Sequence, residues 1–272
     1  MINANSILPE MLYNTENLNF NDVEEALLSN KTIVGRVQSL SEDTQELLVE
    51  IGDNLIAFLP FNEVTIYPLT YSKKYSEPHS PLQVTSLKNK IICTKVKEII
   101  NGKIILSRKE NMIEAYTSIK NEKMLPFNVT SINKTSVFGD VGYGIHAKIH
   151  ISDLCKCRIR SATEICNVGD CFYVSVMDFD EFQRVNVSYK ETFPKYDPTV
   201  FKAGDIITGT VNEAINSPNT GHYINIAPQV SGILDHKSWH PTLQYGDTVE
   251  CIISKVSPKG LHLKLVQVLT TK

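Results

Sequence analysis

Short stretches of alternating or continuous apolar residues recur along the chain, and they predict β-strands far more often than helices. VTSINKTSV (129–137), CFYVSVMDF (171–179) and RVNVSYK (184–190) are rich in β-branched and aromatic types. Asn101-Gly102 separates KVKEII from KIILS, the strongest short hairpin signal. Lys259-Gly260, after Pro258, plays the same part later, and Asp178 to Glu181 does so without glycine. Helical periodicity is confined to two places. Phe20 to Ser29 has Asn21 or Asp22 as its expected cap and Glu24 and Glu25 in its first turn. Arg108 to Glu122 puts Met112, Ala115, Tyr116 and Ile119 on one face, as a linker helix would. Glu191 to Ala203 holds two prolines and reads as a stiff, non-helical linker.

One three-part pattern occurs three times. IAFLPFNEV (56–64), KIICTKV (90–96) and GKIILSRK (102–109) form the first copy. HAKIHISDL (146–154), DCFYVSV (170–176) and QRVNVSYK (183–190) form the second, and SGILDHKSW (231–239), DTVECII (247–253) and KGLHLKLV (259–266) the third. The middle part begins at Lys90, Asp170 and Asp247, in steps of 80 and 77 residues, each the size of a small domain. The expected fold is all-β: three tandem five-stranded Greek-key barrels of the oligonucleotide-binding type. The expected layout is an acidic N-terminal segment with a short helix over 1–30 and a first barrel over 31–110 with an inserted loop at 67–83. A linker helix over 111–123, a second barrel over 124–190, a Pro-containing linker over 191–203 and a third barrel over 204–272 complete it.

AKIHISDL, a Gly169-Asp170 strand entry and RVNVSYK together resemble the RNA-binding repeat of bacterial small-subunit ribosomal protein S1. Ala147 stands where that repeat has glycine; His150, Ile151, Ser152, Asp153 and Leu154 match its core, and ILSRK and NVSYK match its Leu-Ser-x-Lys ending. The third copy has GILDHKS and KLV in those places. The resemblance covers residues 31 to 268, and the layout is similar to the shortened S1-like proteins of Gram-positive anaerobes.

The resemblance implies a face on which single-stranded RNA bases stack on aromatic rings while basic side chains follow the phosphates. An aromatic on the second strand and an aromatic or histidine on the third carry that stacking in the family. Phe138 and His150 match in repeat two, beside Lys148, with Arg158 and Arg160 following as phosphate contacts. Tyr223 matches in repeat three, where His236 and Lys237 lie near the histidine position but shifted by one. In repeat one Phe61 is assigned the histidine position and Phe58 lies three residues earlier, while the insertion brings Tyr71, Lys73 and Lys74. The alternatives are a core ring for Phe138 beside Val137 and Val141, a structural histidine bonded to backbone, and a solvated arginine loop.

Net charge of −3 is spread thinly: −4 over residues 1–31 and within one unit of neutral in every later segment. Stacking and local patches must then outweigh a general basic field. No run approaches the roughly 20 apolar residues that span a bilayer, and MINANSILPE is no secretory signal. Six scattered cysteines do not make a disulfide framework, so a cytoplasmic protein with reduced thiols is expected. Cys155, Cys157, Cys166 and Cys171 cluster, but without the paired spacing of a zinc site. No nucleophile–base pair or Gly-rich phosphate loop is visible, and Asp140, Asp178, Asp180 and Glu181 read as turn caps. No enzyme activity, metal or cofactor is expected. The partners implied are single-stranded RNA and the ribosome or another RNA-processing protein, with no membrane. The competing readings are a protein-interaction adaptor whose barrels have lost RNA binding and an accessory module of a nuclease.

Overall fold

The structure, a computed structural model, describes residues 7–41, 43–52, 54–70, 82–157, 159–214, 221–227, 229–235, 241–258 and 260–271. Helix α1 (Phe20–Ser29) is capped two or three residues earlier than expected, by Asn19. Asn19 Oδ1 accepts from the Asn21 and Asp22 amides, and Asp22 Oδ2 returns an acceptor to the Asn19 amide at 2.8 Å. Such a capping box satisfies the helix's orphan donors reciprocally. Asn30 ends the helix in the left-handed region, φ 53°.

The first barrel follows: β1 (Thr32–Ser41), β2 (Glu46–Gly52), β3 (Leu55–Pro60), the two-residue strands β4 (Leu69–Thr70) and β5 (Leu82–Gln83), then β6 (Ile91–Ile100) and β7 (Lys103–Ser107). Asn101 and Gly102, at φ 49° and 79°, make the turn from β6 to β7 as the hairpin signal requires. Helix α2 (Arg108–Ile119) starts at the Ser107 cap. The second barrel comprises β8 (Met124–Ile132), β9 (Ser136–Asp140), β10 (His146–His150), β11 (Cys171–Phe179) and β12 (Val185–Ser188). The third comprises β13 (Ile206–Ala214), β14 (His222–Ala227), β15 (Val230–Leu234), β16 (Thr248–Ser257) and β17 (Gly260–Thr270).

All three are closed barrels with one strand order: first, second, third, fifth, fourth. In each, third and fifth strands run parallel: Phe58 pairs with Ile105, Lys148 with Asn186, Ile233 with His262. These pairs set the repeats in register. The alternating apolar residues face inward; Ile33, Val37, Leu47, Val49, Leu59, Ile92 and Leu106 form the first core, and Val23 and Ala26 of α1 close it. Val211, Ile224, Leu234, Val249, Ile253 and Leu263 form the third. In the second, Phe127 is fully buried beside Phe172 at 5.4 Å between ring centroids. A side chain at Gly139 would meet the Phe127 ring and the Asn128 carbonyl, so only glycine lets β9 pass. Among the described residues no helix is long and apolar enough to cross a membrane.

Two compact units divide the chain. The first holds Met1–Ser131, Phe138–Lys148 and Val168–Val187, the second Ile132–Val137, Ile149–Asn167 and Ser188–Lys272.

A buried ionic cluster organises the first unit. Arg108, only 3% exposed, donates from Nε and Nη2 to the two Glu10 carboxylate oxygens, each at 2.7 Å, and from Nη1 to the Val64 carbonyl at 3.0 Å. The Glu10 amide donates to Asp140 Oδ2 at 2.7 Å, and Asp140 Oδ1 accepts from the Gly142 and Gly144 amides at 2.8 and 3.0 Å. Asp140 therefore caps a turn, as expected, and is also buried. Burial, and then the Glu10 charge, push its carboxyl up to about 7. A side chain at Gly144, φ 79°, would overlap Arg108.

Tyr67, expected at the start of a surface insertion, is buried in the same unit. Its hydroxyl accepts from the His146 amide at 2.9 Å and donates to the Gln183 carbonyl at 3.3 Å, and its ring stacks on His146 at 4.3 Å. Burial first, then the charges of Arg108, Arg184 and Lys90, hold the His146 imidazole down to about 3. Between pH 6.5 and 3 the unfolded chain therefore binds a proton there that the folded chain refuses, and this contribution to stability falls as pH falls. Asp140 has the opposite sign: its raised value makes stability fall as pH rises towards about 7. His146→Phe keeps the stack and removes only the first effect. The variant should gain stability relative to the native chain as pH drops from about 6.5 to about 4. Urea midpoints that track in parallel over this range would show that His146 titrates normally.

Candidate nucleic-acid interface

The repeat register assigns equivalent positions. Phe138 on β9 corresponds to Leu48 on β2 and Tyr223 on β14; the latter two lie opposite Phe58 and Ile233. Phe138 is half-buried between Val137 and Gly139, which are buried. Thr130 Oγ1 donates to its carbonyl at 3.2 Å. Tyr223 is also half-buried, while its neighbour His222 points into the barrel at 5% exposure. Lys148 is half-buried on β10.

His150 ends β10 and is exposed. Its Nδ1 caps the 3-10 turn Ile151–Asp153 by accepting from the Ser152 amide at 3.3 Å, and lies 2.8 Å from Ser152 Oγ. A backbone N–H is a fixed donor, so Nδ1 is the acceptor and the neutral ring carries its proton on Nε2. Lys190 holds the same turn: its Nζ donates to the Ser152 carbonyl at 2.9 Å and to Asp153 Oδ1 at 2.8 Å. The Ser-x-Lys ending of this repeat thus clamps its His-x-Ser-Asp segment through Lys190, a role that its place in the motif alone does not reveal. Beside it lies a groove of about 580 Å³ lined by Ile151, Ser152, Lys156, Ile159 and Lys190 among others. Arg160 is exposed, with its guanidinium 3.8 Å over the Tyr245 ring.

The first barrel departs from this pattern. Strand β3 ends at Pro60, so Pro60 and not Phe61 corresponds to His150; Phe61 opens the next 3-10 turn, as Ile151 does. Phe61 turns into the core at 5% exposure and offers no ring face, which corrects its assignment. Phe58 is half-buried, and Lys103 Nζ sits 4.3 Å above its ring while bonding to both Glu46 oxygens. In the third barrel β15 ends at Leu234, putting Asp235 at the histidine position, and the exposed Val266 at that of Lys190. Arg158, His236, Lys237, Tyr71, Lys73 and Lys74 lie outside the described residues.

The clustered thiols act as donors. Cys155 Sγ donates to the Cys157 carbonyl, Cys157 Sγ to Ala227 and Cys166 Sγ to Ala162, at 3.1, 3.2 and 3.8 Å. Burial pushes the Cys157 thiol up to about 11, so it is protonated at neutral pH. Among the described residues no group of three or more His, Cys, Asp or Glu is placed to hold a metal ion.

No family model matches the chain. Small ribosomal subunit protein bS1 of Staphylococcus saprophyticus is 26% identical over 226 residues, 78% of this chain and 52% of that protein. The bS1 of Staphylococcus epidermidis is 28% identical over 162 residues, 53% of this chain and 40% of that protein. The bS1 of Rhizobium meliloti is 23% identical over 230 residues, covering 78% and 39%. The chain thus spans about half or less of the length of these curated relatives. A multidomain protein with nucleic acid binding domains from Streptococcus pneumoniae overlaps 87% of the chain and 73% of its own at 14% identity, with a TM-score of 0.24. The chain is a protein of three tandem oligonucleotide-binding-type barrels that resembles small ribosomal subunit protein bS1.

Proposed function

We propose that this protein binds single-stranded RNA in connection with translation, without catalysis, and that its second barrel carries most of the affinity. The observation that supports this is the uneven furnishing of three barrels of one topology. Only the second combines an aromatic on its second strand, a capped and exposed histidine ending its third, and a lysine clamping the turn between them and the last strand. At the same positions the first barrel has Leu48, Pro60 and Lys109, and the third has Tyr223, Asp235 and Val266. The first barrel suits a supporting role, because Phe58 and Phe61, its candidate rings among the described residues, are covered and buried respectively. On this reading messenger RNA is the ligand and the ribosome or an RNA-processing protein the partner; the similarity to small ribosomal subunit protein bS1 supports the link to the ribosome.

Rings can stack only on bases released from a duplex, so single-stranded RNA should bind far more tightly than duplex RNA of equal length. A titration of both forms at two salt concentrations tests the reading. Near-neutral charge predicts a shallow salt dependence. Equal binding of the two forms would mean contact through phosphates alone. Binding of neither would favour the adaptor reading.

A further inference from the structure

The second unit holds a pair of side chains that the repeat motifs do not account for. The Arg160 guanidinium carbon sits over the Tyr245 ring, 3.8 Å from its centroid, and Arg160 is exposed. Both are tied to Glu164. Its Oε1 accepts from the Arg160 and Ser161 amides at 2.9 and 3.0 Å, and its Oε2 accepts from the Tyr245 hydroxyl. Burial, and then Glu164, push the Tyr245 phenol up to about 12, so it keeps its proton and its bond to Glu164. The residue before Arg160, Ile159, lines the groove that also takes in Lys156 and Lys190.

We propose that Arg160 stacked on Tyr245 is a platform for one base of single-stranded RNA, and that the adjoining groove receives the neighbouring nucleotide. A guanidinium over a ring is a planar, weakly hydrated cation, and unstacked bases pack on such planes; Arg160 is exposed, so a base can reach it from solvent. Glu164 fixes the backbone of Arg160 and the hydroxyl of Tyr245, so little freedom remains to be lost on binding. The groove volume of about 580 Å³ falls within the range that holds small organic ligands. Its apolar wall, Ile151 and Ile159, suits a sugar or base edge; Lys156 and the remaining donor of Lys190 suit a phosphate. Tyr245 lies between β15 and β16 of the third barrel, whereas Lys190 follows the last strand of the second. A strand touching both is held by two barrels of the chain, and its second contact gains from high effective concentration. This proposal rests on the RNA-binding reading and adds a subsite and a path to it.

The test uses the full chain, single strands of about 6 and about 20 nucleotides, and a 2-aminopurine base in the longer one. Arg160→Lys keeps the charge and loses the plane. It is expected to weaken the longer strand about tenfold, with an unchanged salt slope and loss of the stacking-induced quench. Tyr245→Ala should do the same and Tyr245→Phe should restore binding, since the ring and not the hydroxyl supports the guanidinium. If the native chain binds both strands and Arg160→Lys matches it in affinity and quench, the platform is overturned while RNA binding stands. If the native chain binds neither strand, the RNA-binding reading fails, and the platform with it.

Discussion

Arg108→Ala should destabilise the first unit by about 3–5 kcal/mol. The reason is not the value of an ion pair as such. Two opposite charges taken out of water nearly cancel their own desolvation cost. Removing one of them leaves the other buried with nothing to balance it. Glu10, 7% exposed, would be stranded beside Asp140, 8% exposed, and the Val64 carbonyl would lose its donor. The cavity left by the side chain adds to this. Urea unfolding of the variant measures the loss. The pair Glu10→Gln and Arg108→Met should cost clearly less together than Arg108→Ala alone, because no unbalanced charge remains at that pair. A loss within about 0.5 kcal/mol of the native value, as for an ordinary surface change, would show that water reaches the cluster.

Phe138→Ala should weaken binding of a single-stranded oligonucleotide by about 1–3 kcal/mol, the value of one lost base stack. No charge is removed, so the slope of affinity against salt should stay the same. That constancy separates a lost stack from a general loosening of the barrel, which would disturb the phosphate contacts as well. Tyr223→Ala, at the equivalent position of the third barrel, should cost less, because Asp235 and Val266 accompany it where the second barrel has His150 and Lys190. Unchanged affinity in a folded Phe138→Ala variant would move the site elsewhere.

Three barrels are legible in the chain because each hairpin carries its own local signal. Asn101 and Gly102 take positive φ as the dipeptide demands, and Asp180 closes the later turn by accepting from the Phe182 and Arg184 amides at 2.8 and 2.9 Å. The 3.6-residue period likewise marks Phe20 to Ser29, although Asn21 and Asp22, the caps the sequence suggests, lie inside the helix that Asn19 caps. Strand ends are harder to read. LPFNEV does not say whether Pro60 or Phe61 leaves the sheet, and one residue decides whether a ring faces solvent or core. The ionic cluster is invisible for another reason. Glu10 lies 98 residues from Arg108 and 130 from Asp140, and no periodicity links charges so far apart. Arg108 stood only as the middle letter of a Ser-x-Lys ending. Tyr245 and Glu164, 81 residues apart, carry no local signal of their bond for the same reason.

The spacing of that cluster also dictates an order of events. A contact that closes a loop of about 130 residues forms after the local hairpins, because chain closure must be offset before it is rewarded. During synthesis Glu10 and Arg108 exist well before Asp140, Gly142 and Gly144 do. The Glu10–Arg108 pair can therefore form first, and the Glu10 amide waits for its acceptor until Asp140 arrives at the end of β9. The Glu10 amide proton, whose acceptor lies 130 residues away, should then become protected from solvent exchange later than those of Gly142 and Gly144, whose acceptor in the same cluster is local.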